Sequence, residues 1–105
     1  MKIGIVISSN DPETVWNAFR FANFSAETGE SVKVFLIGKG VEVERIESEK
    51  FDVAEQMKKF IKNGGQIYAC GTCLKMREME LDICPISTMK DLYEIIKESD
   101  RVLTF

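Results

Sequence analysis

Near-continuous apolar runs alternate along this chain with stretches whose apolar residues recur at helical spacing. Residues 2–8 hold Ile3, Ile5, Val6 and Ile7, which read as a strand buried on both faces, because a half-exposed strand would alternate apolar with polar positions. Residues 32–37 repeat the pattern after a glycine turn, and Gly38-Lys39-Gly40 closes that second strand. Between the two, Asn10 and Asp11 are N-cap candidates ahead of Pro12, whose missing N–H costs nothing at a first helical position; a helix over residues 12–28 follows, stopped by Gly29. Its inward stripe is Val15, Ala18, Phe19, Ala22 and Ala26. Trp16, Phe21 and Phe24 lie off that stripe and call for either a wide core or a neighbouring subunit.

Asp52 with Glu55 makes a capping box, and Val53, Met57, Phe60 and Ile61 form one face of a helix that Asn63-Gly64-Gly65 ends. Residues 66–70 read as a short strand running into Gly71-Thr72, and residues 73–80 have helix-forming composition. A fourth short strand is expected over residues 83–87, weakened by Pro85. Thr88 and Asp91 open a last helix with Met89, Leu92, Ile95 and Ile96, and residues 101–105 close the chain as a strand. Residues 41–50 mix valine alternation with Glu42, Glu44, Glu47 and Glu49, and fit a short helix, an edge extension or a mobile loop alike. Strands alternating with amphipathic helices predict an α/β fold: a largely parallel sheet with helices on both faces.

At 105 residues the chain is expected to form a single domain, 1–105, and 45% apolar with 30% charged residues is a folding composition. No apolar run reaches the roughly 18 residues of a membrane span, and the first residues do not resemble a signal peptide, so the expectation is cytoplasmic, with no membrane partner. A net charge of −3 gives no overall pull toward nucleic acid. The chain has no histidine, which removes Ser-His-Asp triads, Cys-His pairs and imidazole metal ligands together. Its three cysteines, Cys70, Cys73 and Cys84, are an odd set, and reduced thiols are the expectation.

Those cysteines carry the candidate chemistry. In an open parallel sheet ligands bind at the carboxyl ends of strands, where the next helix begins, and Cys70 holds that position. Amides around Gly71, Thr72 and Cys73, with Lys75 nearby, are expected to favour the thiolate and lower the Cys70 pKa. Three other readings stand beside this. A structural zinc site lacks a fourth ligand, so no metal is expected. A thioredoxin-like redox pair shares the spacing, although the motif falls late in the chain. Small buried thiols are the third reading, and the preferred one for Cys84. Arg77, four residues after Cys73, fits an anionic substrate or an ion pair with Glu78 or Glu80, and Thr72 fits a hydroxyl donor or a helix cap. The turn Ser8-Ser9-Asn10 also ends a parallel strand, so Ser9 and Asn10 are candidates to line the same crevice; the glycines and lysine of a phosphate loop are missing.

The stretch Tyr68-Ala69-Cys70-Gly71-Thr72-Cys73-Leu74-Lys75-Met76-Arg77, with Asn10-Asp11-Pro12-Glu13 before the first helix and the segment from Val34 to Glu42, resembles the DsrE/DsrF-like family over essentially the whole chain. The resemblance implies a three-layer α/β sandwich around a mainly parallel five-stranded sheet, in homo-oligomers such as trimers or hexamers. It also implies sulfur handling: Cys70 would receive a sulfane sulfur as a persulfide and pass it to a partner's thiol, with sulfur-donor and sulfur-acceptor proteins as partners and no cofactor. Cys73 would be a resolving or assisting thiol. Relay members often carry glycine after the arginine, where this chain has Glu78. The rival expectation is a non-catalytic oligomeric module for a small ligand, with a dithiol redox protein as a third.

Overall fold

The computed structural model describes residues 1–81 and 84–105. The three apolar runs form strands β1 (Lys2–Ile7), β2 (Ser31–Leu36) and β3 (Gln66–Cys70), which join β4 (Ile86–Ser87) and β5 (Arg101–Thr104) in one sheet of order β4-β3-β2-β1-β5. Every neighbouring pair is parallel. Between the strands run α1 (Pro12–Glu27), a 3-10 helix (Gly38–Arg45), α2 (Val53–Lys62), α3 (Gly71–Met76) and α4 (Met89–Glu98). No helix among the described residues is long and apolar enough to cross a membrane.

Local chemistry sets the helix ends. Asp11 accepts the Thr14 amide at the start of α1, Asp52 accepts the Glu55 amide at α2, and Thr88 and Asp91 form a reciprocal capping box at α4. Each cap satisfies an amide that has no partner within its own helix. Three helices end in the same left-handed turn, which returns two amides to the last carbonyls. In α1 the turn residue is Gly29 (φ +98°), and in α2 it is Gly64 (φ +87°). In α3 it is Glu78 (φ +52°): its amide bonds the Lys75 carbonyl, and the Met79 amide bonds Leu74. A glutamate thus occupies in α3 the left-handed position that glycine holds after α1 and α2.

Register decides which helix covers which face. A Cβ on Gly4 would meet Ser99 at 2.8 Å and Ile95 at 3.1 Å, so the even positions of β1 face α4. Lys33, level with Gly4, pairs with Glu98 of α4, as this parity requires. Ile3, Ile5 and Ile7 therefore face the opposite side, with Val32, Val34 and Leu36 beside them. There α1 and α2 pack, and Phe19 meets Phe60 edge-on at 6.0 Å. Burying each such side chain contributes about 1.5–3 kcal/mol. The same parity puts Tyr68 and Cys70 of β3 on the α4 side.

Several expectations need correction. Of the three readings of residues 41–50 the short helix is the one observed, with its bounds corrected: the 3-10 helix begins at Gly38 and ends at Arg45. A Cβ on Gly40 would lie 2.0 Å from the Ile7 carbonyl oxygen, so only glycine lets this segment cross the end of β1. The helix expected over residues 73–80 begins at Gly71 and stops at Met76, because the left-handed turn at Glu78 ends it. Of the strand expected over residues 83–87, Ile86 and Ser87 pair with β3, and Ile83 lies outside the described residues. Trp16 packs on Phe51 at 5.2 Å, whereas Phe21 and Phe24 remain 42% and 65% exposed.

Candidate cysteine site

Cys70 is both the last residue of β3, level with Ser87 of β4, and the N-cap of α3. Its neighbour Gly71 lets β4 come close, since a Cβ there would lie 2.8 Å from Ile86 Cγ2 and 3.3 Å from the Ser87 oxygen. Cys70 is only 3% exposed, yet it lines an open cavity of about 460 Å³. Gly71, Thr72 and Lys75 line it from α3, and Ser87, Thr88 and Met89 from the start of α4.

The expected lowering of the Cys70 pKa is not found. Burial pushes this thiol up, and the adjacent Cys73 thiol pushes in the same direction; the Cys73 and Thr72 amides pull it down without overcoming them. The amides act on the sulfur as the sequence implies, but the cost of desolvating a thiolate is the larger effect. The resting Cys70 sulfur is therefore a protonated thiol at neutral pH.

Cys73 follows at the third position of α3 and is half-buried. Its Sγ accepts the Gly38 amide at 3.3 Å, which joins α3 to the start of the 3-10 helix. Arg77 pairs with neither Glu78 nor Glu80. Its Nε donates to Glu42 Oε2 at 2.6 Å and an Nη donates to the Cys73 carbonyl at 3.1 Å, while Asn10 Nδ2 donates to Glu42 Oε1 at 3.2 Å. Arg77, then Asn10, hold the Glu42 carboxyl below the usual carboxylate range. The guanidinium thus acts as a brace behind Cys73, between α3 and the 3-10 helix.

The model of the DsrE/DsrF-like family matches residues 1–105. The chain belongs to that family. An uncharacterized protein of Methanocaldococcus jannaschii is 32% identical over 114 aligned residues that take in 100% of both chains. Another, from Methanopyrus kandleri, is 34% identical over 100 residues, 89% of this chain and 83% of that one. Two solved structures of proteins of unknown function share the fold. The one from Bacteroides thetaiotaomicron has a TM-score of 0.81 at 20% identity over 99% of this chain and 94% of its own. The one from Methanobacterium thermoautotrophicum has 0.76 at 15%, over 99% and 98%.

In this DsrE/DsrF-like chain Cys70, Gly71, Thr72 and Lys75 line one cavity, and Ser9 and Asn10 do not join them. Ser9 Oγ accepts the Asp11 amide at 3.0 Å, and Asn10 lines a separate cavity of about 190 Å³ with Glu42 and Arg45. The reason is lateral: β1 lies two strands from β3, with β2 between them. Thr72 is exposed at the cavity and caps nothing, because Cys70 takes the N-cap position. Sequence reasoning missed Ser87, Thr88 and Met89 opposite Cys70. The signal was there in the Thr88–Asp91 capping box, since a helix that follows a parallel strand also begins at the carboxyl edge. Cys84 is buried, and burial together with the Glu44 carboxylate pushes its thiol up to about 12. Among the described residues no three Cys, Asp or Glu side chains converge as metal ligands.

Proposed function

We propose that this DsrE/DsrF-like protein carries sulfane sulfur on Cys70 and yields it to a thiol acceptor. The observation that supports the reading is the pairing of a cysteine at the carboxyl end of a parallel strand with an open cavity that the cysteine lines. Loading is a displacement in which the Cys70 sulfur attacks the outer sulfur of a donor persulfide. The donor's S–S bond breaks, a new S–S bond forms on Cys70, and the Cys70 proton passes to the departing donor thiolate. No oxidant is required. Burial holds the Cys70 pKa above the ordinary thiol value, so the thiolate fraction grows and loading proceeds faster as pH rises. The reading includes self-association into a homo-oligomer, supported by the exposure of Phe24, Met89 and Tyr93; a single protomer in sedimentation equilibrium at micromolar concentration would remove that part.

Incubation with a small persulfide donor followed by peptide mass mapping tests the reading. Wild-type protein and Cys84→Ser should take sulfur from the donor, seen as added mass on the peptide containing Cys70 or as sulfide released from it, and Cys70→Ser should take none. A folded wild-type protein that neither holds sulfur on Cys70 nor releases sulfide from the donor would refute the reading. One observation favours a non-catalytic binding module instead: Cys70 is buried, and burial pushes its thiol pKa up. That alternative predicts a Cys70 inert to alkylating reagents until the protein unfolds.

A further inference from the structure

Three of the four α-helices place an N-cap oxygen against the amide three residues on. In two of these the side chains themselves touch: Thr14 Oγ1 donates to Asp11 Oδ2 at 2.9 Å, and Thr88 Oγ1 to Asp91 Oδ2 at 3.2 Å. Cys70 and Cys73 occupy the same two positions of α3, and their thiols interact side chain to side chain. Helical residues at this spacing have Cβ atoms about 5–6 Å apart. Closing a disulfide would draw those Cβ atoms in to about 3.5–4.5 Å. The two thiols face different surroundings, however. Cys70 lies on the cavity, whereas Cys73 lies behind it, with its sulfur on the Gly38 amide and its carbonyl on Arg77.

Resting on the carrier reading above, we propose that Cys73 discharges the persulfide on Cys70 by attacking its inner sulfur, closing a Cys70–Cys73 disulfide and releasing hydrogen sulfide into the cavity. Cys70 lines the cavity and Cys73 is not among its lining residues. An outer sulfur that takes the cavity space therefore leaves the inner sulfur as the one next to Cys73, the arrangement an in-line displacement requires. Leaving-group chemistry selects the same route. Attack on the outer sulfur would expel the Cys70 thiolate into a buried place that disfavours charge, whereas attack on the inner sulfur expels hydrosulfide, the weaker base, beside solvent.

The balance is complete. The persulfide of Cys70 and the thiol of Cys73 give one disulfide and one hydrogen sulfide; the outer sulfur takes up the electron pair of the broken S–S bond, and the Cys73 proton goes to the departing hydrosulfide. Two cysteine sulfurs are oxidised and one sulfane sulfur is reduced to sulfide. A dithiol reductant then restores both thiols and leaves as its own disulfide. Cys73 in this scheme sets how long the load persists, and discharge competes with hand-over to an external thiol.

The test uses full-length wild type, Cys73→Ser and Cys84→Ser, each reduced, loaded anaerobically with glutathione persulfide and desalted. Sulfide release and intact mass are then followed without added thiol. Wild type and C84S should release one sulfide per chain and finish two hydrogens lighter than the reduced protein, with Cys70 and Cys73 in one linked peptide. C73S should keep its extra sulfur on Cys70 for on the order of tenfold longer or more, because it lacks the intramolecular attacker. Wild type that holds its load as long as C73S, or that loses sulfide without forming the disulfide, overturns the inference and leaves the carrier reading intact. A C73S variant that takes up no sulfur, although circular dichroism shows it folded, removes the carrier reading as well. Should C73S fail to fold, Cys73→Ala carries the same comparison.

Discussion

The junctions β1–α1 and β3–α3 sit at the same carboxyl edge of the sheet and are built on the same plan, yet they end differently. At the first, the Asp11 carboxylate accepts both the Thr14 amide and the Thr14 hydroxyl, which hold its carboxyl below its ordinary range. The helix start is closed by its own side chain. At the second, Cys70 stands in the capping position and makes no cap hydrogen bond. The Thr72 and Cys73 amides act on its sulfur but lose to burial. One junction has finished its electrostatics with an oxygen; the other keeps a thiol whose burial outweighs the amides around it.

The sharpest way to break this contrast is to exchange the caps' consequences. Cys70→Ser gives α3 an oxygen cap; mass mapping should find sulfur loading abolished, while denaturant titration finds stability within about 1 kcal/mol of wild type. Asp11→Ala should do the reverse, costing about 1 kcal/mol and leaving the loading rate unchanged. If Asp11→Ala stopped loading, the two junctions would not be independent.

A smaller effect is expected at the brace. Both partners of the Arg77–Glu42 pair are about 30% exposed, so a double-mutant cycle with Arg77→Ala and Glu42→Ala should give a coupling of about 0.5–1 kcal/mol, reduced by salt. A coupling near zero would mean that the pair does not hold the 3-10 helix against α3. The smallest effect is at Glu78, whose left-handed φ is strained for any residue with a Cβ. Glu78→Gly should stabilise the protein by at most about 1 kcal/mol, since the gain in φ freedom is offset by the entropy glycine loses on folding. Destabilisation would show that the Glu78 side chain holds something the turn needs.

Much of this was legible in the sequence because it rests on local rules. Ile3 to Ile7 and Val34 to Leu36 announce buried parallel strands, and Asp11-Pro12, Asp52–Glu55 and Thr88–Asp91 announce three helix starts at the observed positions. The meeting of Cys70 with Gly71, Thr72 and Lys75 follows from their adjacency in the chain. What was not legible depends on tertiary contact. Glu42 lies 35 residues from Arg77, and nothing local selects it over Glu78 or Glu80. The 3-10 helix has too weak a period to stand out, and its start at Gly38 is dictated by the close approach of Gly40 to Ile7. The direction of the Cys70 shift was misread for the same reason: amides at a helix start can be counted from the sequence, whereas desolvation is set by the packed structure around the sulfur.

Peptide-resolved alkylation of the folded protein against pH tests most directly whether the Cys70 sulfur is reachable and how it ionises. The rate at Cys70 should be low at neutral pH and climb through an inflection above the ordinary thiol range, with Cys84 silent until near its value of about 12. A Cys70 that reacts only when the protein unfolds, in step with Cys84, would contradict the account.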